Sequence, residues 1–391
     1  MKVLFVLINM NLGGTEKSLL NLIEILPKDT EITVLLLEKT GDLLADIPEN
    51  VKILQIENAA EVNAAIKFGF NTLFLNYLKQ FKILKSAKAV LYYLFSKVDK
   101  KHDFYYLFFK KQLSKLNESF EYAVAFAGPH HFISNFVLDK VVATKKVQWI
   151  HFDVTKIYFN STIAQNIYTK FDTIVCVSND VIRHFLNILP ELSSKTIVKH
   201  NIIPFDKIKK LAKAPITDFD TQCTSILTVG RLTEEKGHLQ FLSTFKRLKD
   251  CGYHFCWYII GDGNQLETLQ NDITRLELTQ QIILLGKKIN PYPYYKACTI
   301  YLQPSVYEGH CVSILEAKFF KKPIICTNFA GAIDEISNGK NGLIVDFHED
   351  SFYDALTTLL DNESLRIDFS NYNTTSQLDT KMKSFDAFLN S

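Results

Sequence analysis

Glu308 and Glu316 stand eight positions apart in a stretch that reads S-V-Y-E-G-H-C-V-S-I-L-E-A-K from Ser305 to Lys318. The apolar run Thr299 to Gln303 leads in as a strand. Val312 to Phe320 has helical character, and Ile324 to Cys326, after Pro323, reads as the next strand. That order puts Glu308 in a loop and Glu316 about a turn into a helix. The first amides of a helix have no partner inside it and point outward, which makes them a ready site for a phosphate. A carboxylate one turn along can accept hydrogen bonds from sugar hydroxyls, as acidic residues do in other nucleotide sites. The plain alternative is a pair of solvated glutamates.

A second group of chemically capable residues lies in Gly230-Arg231-Leu232-Thr233-Glu234-Glu235-Lys236-Gly237, directly after the apolar run Ser225 to Val229. Arg231 offers a planar fork and Lys236 a point charge, and together they suit a diphosphate; otherwise this is a solvated, charged loop. Gly13 and Gly14 follow the first apolar run, Val3 to Ile8. Their spacing is not that of the dinucleotide fingerprint, but two glycines let a backbone approach a ligand closely. His151 ends the run Val147 to His151, where a parallel sheet points polar residues at its ligand crevice. It suits a base, a hydrogen-bond donor or a ligand, although a lone histidine is more often a satisfied structural one.

Two α/β units have to position these residues. Strands are expected at 3–8, 31–37, 51–56, 122–127, 147–151, 173–177 and 197–199, and then at 225–229, 255–260, 282–285, 299–303 and 324–326. Continuous apolar runs are the mark of parallel strands covered on both faces. The expected division is an N-terminal Rossmann-like domain over 1–205, a linker over 206–222, a second Rossmann-like domain over 223–372 and a C-terminal helix over 373–391 packing back on the first domain. The fold class is thus α/β, doubly wound twice. Asp218-Phe219-Asp220 has the look of a metal motif, but its place in the connector favours an exposed linker.

At 391 residues two domains are expected. With 47% hydrophobic and 22% charged residues the chain is an ordinary globular one, and a net charge of +2 gives no argument for nucleic acid. None of the seven cysteines forms C-x-x-C, which speaks against a disulfide framework or zinc site and for a reducing compartment. The N-terminal apolar run is too short for a signal peptide, and no transmembrane helix is expected. The segment 67–116 differs from the rest: eleven lysines lie between Lys67 and Lys115, with Asp99 and Asp103 as the only acids and many aromatics interleaved. Such helices lie on anionic membrane surfaces. The alternatives are a helical insertion with aromatics inward and lysines in water, or a site for single-stranded nucleic acid.

Gly13-Gly14, His151, Gly230-Arg231-Leu232 with Glu235-Lys236-Gly237, Gly261-Asp262-Gly263, and Glu308 with Glu316 occur in one order. The chain resembles family 4 of the retaining glycosyltransferases, which have the GT-B fold, and especially bacterial enzymes of surface-polysaccharide and lipid-linked glycan synthesis. The resemblance implies transfer of a hexose or N-acetylhexosamine from a nucleoside-diphosphate sugar, such as a UDP-sugar, to a glycan or lipid-linked acceptor. It implies that Arg231 and Lys236 hold the donor diphosphate, joined by the backbone of Gly309, His310, Cys311 and Val312. Glu316 then holds the ribose, and Gly14 lets the first loop approach the phosphates. His151 and Glu308 flank the donor sugar as catalytic residues, in the sense of orienting and stabilising. Gly13, Thr15 and Lys17 face the acceptor. The resemblance implies neither metal nor cofactor, and a cytoplasmic protein on the inner face of the cell membrane.

Three positions depart from the family pattern. The family often reads E-G-F-G where this chain has Glu308-Gly309-His310-Cys311, and Lys17 stands where many relatives carry arginine. A GT-B-like nucleotide-sugar epimerase and a non-enzymatic nucleotide-sugar-binding protein stay open as alternatives.

Overall fold

A computed structural model describes residues 1–57, 59–99, 101–220 and 223–373. It divides into two units, one of residues 1–177 and 181–198, the other of residues 178–180 and 199 onward. The expected helix over 373–391 lies, beyond Asn373, outside the described residues.

The first unit is a seven-stranded parallel sheet in the order β3-β2-β1-β4-β5-β6-β7. Its strands are β1 (Lys2–Leu7), β2 (Glu31–Leu36), β3 (Lys52–Gln55), β4 (Ser119–Ala125), β5 (Val142–Ile150), β6 (Thr173–Cys176) and β7 (Thr196–Val198). In β1 every residue from Val3 to Leu7 is buried, as a strand covered on both faces requires. Helix α1 (Gly14–Ile25) turns Leu19, Leu20, Leu22 and Ile23 inward. The basic, aromatic segment forms α2 (Ala59–Lys79), α3 (Ile83–Val98) and α4 (Phe104–Phe109). Helices α5 (His131–Lys140), α6 (Ser161–Tyr168) and α7 (Asn179–Ile188) complete the crossovers.

The basic segment combines buried aromatics with an exposed apolar side. Tyr77, Tyr106, Phe108 and Phe109 are buried, as an inward-facing aromatic set would be. Yet Lys85 lies over the Tyr77 ring and Lys88 over Phe108, on the same inner side. The outward side of α3 is apolar: Ile83, Leu84, Val90, Leu91, Leu94 and Val98 are all exposed. Phe81, in the turn from α2 to α3, is 89% exposed.

The second unit is a six-stranded parallel sheet in the order β10-β9-β8-β11-β12-β13. It contains α8 (Phe205–Leu211), β8 (Thr224–Val229), α9 (Leu242–Asp250), β9 (Phe255–Ile260), α10 (Leu266–Arg275), β10 (Ile282–Gly286), α11 (Tyr292–Ala297), β11 (Ile300–Gln303), α12 (Val312–Phe319), β12 (Ile324–Thr327), α13 (Ala332–Glu335), β13 (Gly342–Val345), α14 (Glu349–Asp361) and α15 (Glu363–Tyr372). One core packs Phe245 against Trp257 with centroids 4.1 Å apart and Phe241 against Phe352 at 3.8 Å. The other joins Tyr295, Tyr301, Ile314 and Cys326.

Two expectations are corrected here. The division falls at Val198/Lys199 rather than after residue 205, and 206–222 is not simply a linker. Ile208 of α8 is buried with Val312 and Leu315, and the Phe219 ring stacks on Tyr258 at 4.2 Å. Short apolar anchors between prolines are enough to bind such a segment to a domain. The second correction concerns the cysteines: Cys223 and Cys256 form a disulfide. They lie 33 positions apart in sequence, but parallel pairing sets Ser225 of β8 against Cys256 of β9.

No helix among the described residues is long and apolar enough to cross a membrane.

Candidate active site

A doubly wound sheet binds ligands outside the carboxyl ends of its strands, where the strand order reverses. In the second unit β8 and β11 adjoin at that reversal. The loop after β8 carries Arg231 and Lys236, and the loop after β11 carries Glu308 and Gly309. The two loops are stitched together: Val306 N–H donates to the Glu235 carbonyl at 2.8 Å. Gly237 has φ +71°, and a β-carbon there would stand 2.0 Å from the Pro304 carbonyl oxygen, so only glycine fits.

At the centre the Lys236 Nζ meets Glu308 Oε1 at 2.5 Å. Burial opposes the Lys236 ammonium, but the Glu308 carboxylate outweighs it and raises the lysine pKa above its ordinary value. Glu308 Oε1 also accepts from Ser305 Oγ at 2.8 Å and from Gln303 Nε2 at 3.4 Å. Gln303 in turn accepts from the Tyr301 hydroxyl at 2.6 Å, so a buried polar chain runs from β11 to the carboxylate. Arg231, half exposed, pairs with Glu235 at 2.9 Å. Its charge is close enough to Lys236 to press the lysine pKa downward.

Helix α12 begins beside this pair. Its N-cap, Cys311, supplies no side-chain cap. The first bonds inside the helix run from Ile314 and Leu315 N–H to the Cys311 carbonyl. The amides of Val312 and Ser313 therefore precede the helical ladder. Ser313 Oγ donates to the Val229 carbonyl at 3.1 Å, which fixes the helix start against the end of β8. Glu316 is fully buried, and its Oε1 accepts from the Tyr292 hydroxyl at 3.2 Å. The His310 side chain is buried too and turns to Glu335, so any contact it makes with a phosphate is through its backbone.

In the first unit the reversal lies between β1 and β4. Gly13, in extended conformation, precedes α1, and Thr15 and Lys17 lie in its first turns. A β-carbon at Gly14 would meet nothing within 4 Å, so packing within the protein does not demand glycine there. His151 follows β5 with its ring 4.6 Å from Phe126. Burial pushes its pKa down to about 3. The imidazole is neutral at physiological pH, which suits a hydrogen bond and not a cationic role. Its Nε2 is buried and has no hydrogen-bond partner among the described residues.

Sequence reasoning passed over residues in each unit. Gln303 and Ser305 orient Glu308. His130 and His131 follow β4 after Gly128-Pro129, and burial lowers both pKa values to about 4. The Gly-Pro-His-His run was a readable signal for the last two; nothing marked the first two.

Residues 211–376 match the family model of glycosyl transferases group 1. The matched stretch contains every donor-side residue in the loops after β8 and β11. Over 233 residues the chain is 28% identical to the N-acetylgalactosamine-N,N'-diacetylbacillosaminyl-diphospho-undecaprenol 4-alpha-N-acetylgalactosaminyltransferase of Campylobacter jejuni, covering 58% of this chain and 60% of that one. It is 30% identical to the UDP-Gal:alpha-D-GlcNAc-diphosphoundecaprenol alpha-1,3-galactosyltransferase of Escherichia coli over 143 residues, 36% of this chain and 37% of the relative. The chain thus spans less than two thirds of the length of these curated relatives. Among solved structures, Anabaena Alr3699/HepE in complex with UDP-glucose superposes with a TM-score of 0.72 at 15% identity, covering 100% of this chain and 99% of that one. The fold is GT-B: two parallel-sheet, Rossmann-like domains.

Proposed function

We propose that the protein is a retaining glycosyltransferase of surface-polysaccharide or lipid-linked glycan synthesis. It moves a hexose or N-acetylhexosamine from a UDP-sugar to a glycan or lipid-linked acceptor. The observation that carries this reading is the uncapped start of α12 beside the Lys236–Glu308 pair, at the strand reversal of the second unit. A cation and unpaired amides converging on one spot suit a departing diphosphate. The similarity to two transferases of diphospho-undecaprenol-linked glycans supports the acceptor class.

In the step itself the bond between the anomeric carbon and the diphosphate oxygen breaks and its electron pair leaves with the phosphate. The acceptor oxygen bonds to the same face of that carbon, and its proton passes to the departing phosphate. Lys236, Arg231 and the α12 amides stabilise the charge that develops on the leaving group, an electrostatic effect that such sites use heavily. Glu308 has one oxygen committed to three donors, which favours an orienting part over nucleophilic attack. His151 offers a neutral Nε2 to a sugar hydroxyl. No metal and no cofactor enters this scheme, and activity in the presence of a chelator tests that.

Membrane attachment belongs to the same proposal. The exposed apolar side of α3, with Lys79, Lys82 and Lys97 exposed around it, suits an anionic bilayer on the inner face of the cell membrane.

A panel of nucleotide-sugars, read by thermal stabilisation, tests the donor class, since a ligand at a hundred times its Kd adds about 2.7 kcal/mol. The preferred donor should then release nucleoside diphosphate only when acceptor is present. Product without acceptor would point to an epimerase, and binding without release to a sensor.

A further inference from the structure

Directly after Gly309 the chain carries a histidine whose side chain does not reach the candidate diphosphate site at all. His310 Nε2 lies 2.8 Å from Glu335 Oε1, with both side chains shut off from solvent. The other Glu335 oxygen binds Lys318 Nζ at 2.7 Å, and the same ammonium donates to the Glu335 carbonyl at 2.8 Å. On the far side of the ring, the Asn201 backbone N–H donates to His310 Nδ1 at 3.2 Å. A backbone amide can only donate, so Nδ1 carries the lone pair and Nε2 the proton. The neutral ring thus joins a backbone donor to a buried, charge-balanced Lys318–Glu335 pair.

The backbone of the same turn is tied as well. The Gly309 carbonyl accepts from Ser178 Oγ at 2.9 Å and the His310 carbonyl from Asn201 Nδ2 at 3.0 Å. In a planar trans peptide the following N–H points opposite to the carbonyl. Holding these two carbonyls therefore aims the His310 and Cys311 amides away from Ser178 and Asn201, ahead of the first amides of α12.

We infer that His310 is a positioning residue: through Glu335, Lys318 and Asn201 it holds the Gly309–Val312 backbone in the orientation that receives the donor diphosphate. This rests on the reading of that turn as the diphosphate site. A phenylalanine in its place fills the space but can neither donate to Glu335 nor accept from Asn201. The buried Lys318–Glu335 pair is the anchor that the imidazole reaches.

The test compares His310→Phe, His310→Gln and Asn201→Ala in the full chain, with kcat and donor KM measured separately for the donor the wild type prefers, and UDP binding measured by calorimetry. Displacing a catalytic group by about 1 Å can cost on the order of a hundredfold. The expected result for His310→Phe is a 10- to 100-fold fall in kcat with donor KM within about threefold of wild type. His310→Gln, which keeps a donor toward Glu335, should recover at least roughly a third of the lost factor on a logarithmic scale. Asn201→Ala removes the tie to the His310 carbonyl while its backbone N–H can still donate to Nδ1, and should lower kcat several-fold in a chain that still folds, which keeps the test decisive if His310→Phe does not fold. Wild-type kcat in Asn201→Ala together with either wild-type kcat in a folded His310→Phe or no rescue by His310→Gln overturns the inference. Failure of the wild type to bind UDP is a different result and overturns the donor-site reading itself.

Discussion

Replacing Lys236 by methionine separates a catalytic cation from a structural ion pair. The ammonium lies 2.5 Å from Glu308 Oε1, and the two side chains are 14% and 13% exposed. Methionine keeps most of the apolar stem and loses the charge. If Lys236 stabilises the leaving diphosphate, its removal should cost ~2.7–4 kcal/mol of barrier, roughly a hundred- to a thousand-fold in kcat. The fold loses less. Glu308 keeps Ser305 at 2.8 Å and Gln303 at 3.4 Å as donors, so leaving its charge short of one partner should cost ~1–3 kcal/mol. The second substitution, Glu308→Gln in the Lys236→Met background, neutralises the stranded carboxylate. It should restore most of the lost stability and none of the lost rate. The assay is release of nucleoside diphosphate under saturating donor and acceptor, alongside urea unfolding of the same preparations. A Lys236→Met enzyme within threefold of wild-type kcat would refute the reasoning, as would a double variant that regains activity together with stability.

Arg231→Ala should be the complementary case. Arg231 is half exposed and its pair with Glu235 is a surface one, worth ~0.2–1 kcal/mol, so unfolding by urea should barely change while kcat falls by more than tenfold. Stability should fall as pH drops below about 6.5. His151 and His238 are held near pKa 3 and His130 and His131 near 4, all by burial. The unfolded chain then binds the protons that the fold refuses, and each group contributes up to ~1.4 kcal/mol per pH unit. Asp103, raised to about 6 by burial, works in the opposite sense for one proton below pH 6. Urea unfolding from pH 7.5 to 5 measures the slope, and a flat or rising curve contradicts it. Leu84→Glu with Leu91→Glu, on the exposed side of α3, should abolish sedimentation with anionic vesicles without lowering the melting temperature. Lys85 and Lys88 are poor targets for charge reversal because they lie over Tyr77 and Phe108.

The sheets and the donor-side loops were legible because their signals are local. Apolar runs such as Val3 to Leu7 read as strands buried on both faces, and a loop directly after such a run lies at the ligand end of the sheet. The pairing of Lys236 with Glu308 was not legible. It depends on the reversal of strand order that brings β8 beside β11, and the two residues lie 72 positions apart. The same holds for His310, whose partner Glu335 sits on α13, and for Cys223 with Cys256, which only the β8–β9 register brings together. In the connector, the apolar anchors Ile208 and Phe219 were hidden among prolines and charges. In the basic segment the composition alone did not show that Lys85 and Lys88 lie over aromatic rings while leucines of α3 face outward.

A structure determined with UDP bound tests the central claim most directly. The account predicts diphosphate oxygens within about 3 Å of the Val312 and Ser313 amides and of Lys236 Nζ, with Arg231 turned toward them. A bound nucleotide whose diphosphate touches neither the start of α12 nor Lys236 would contradict it.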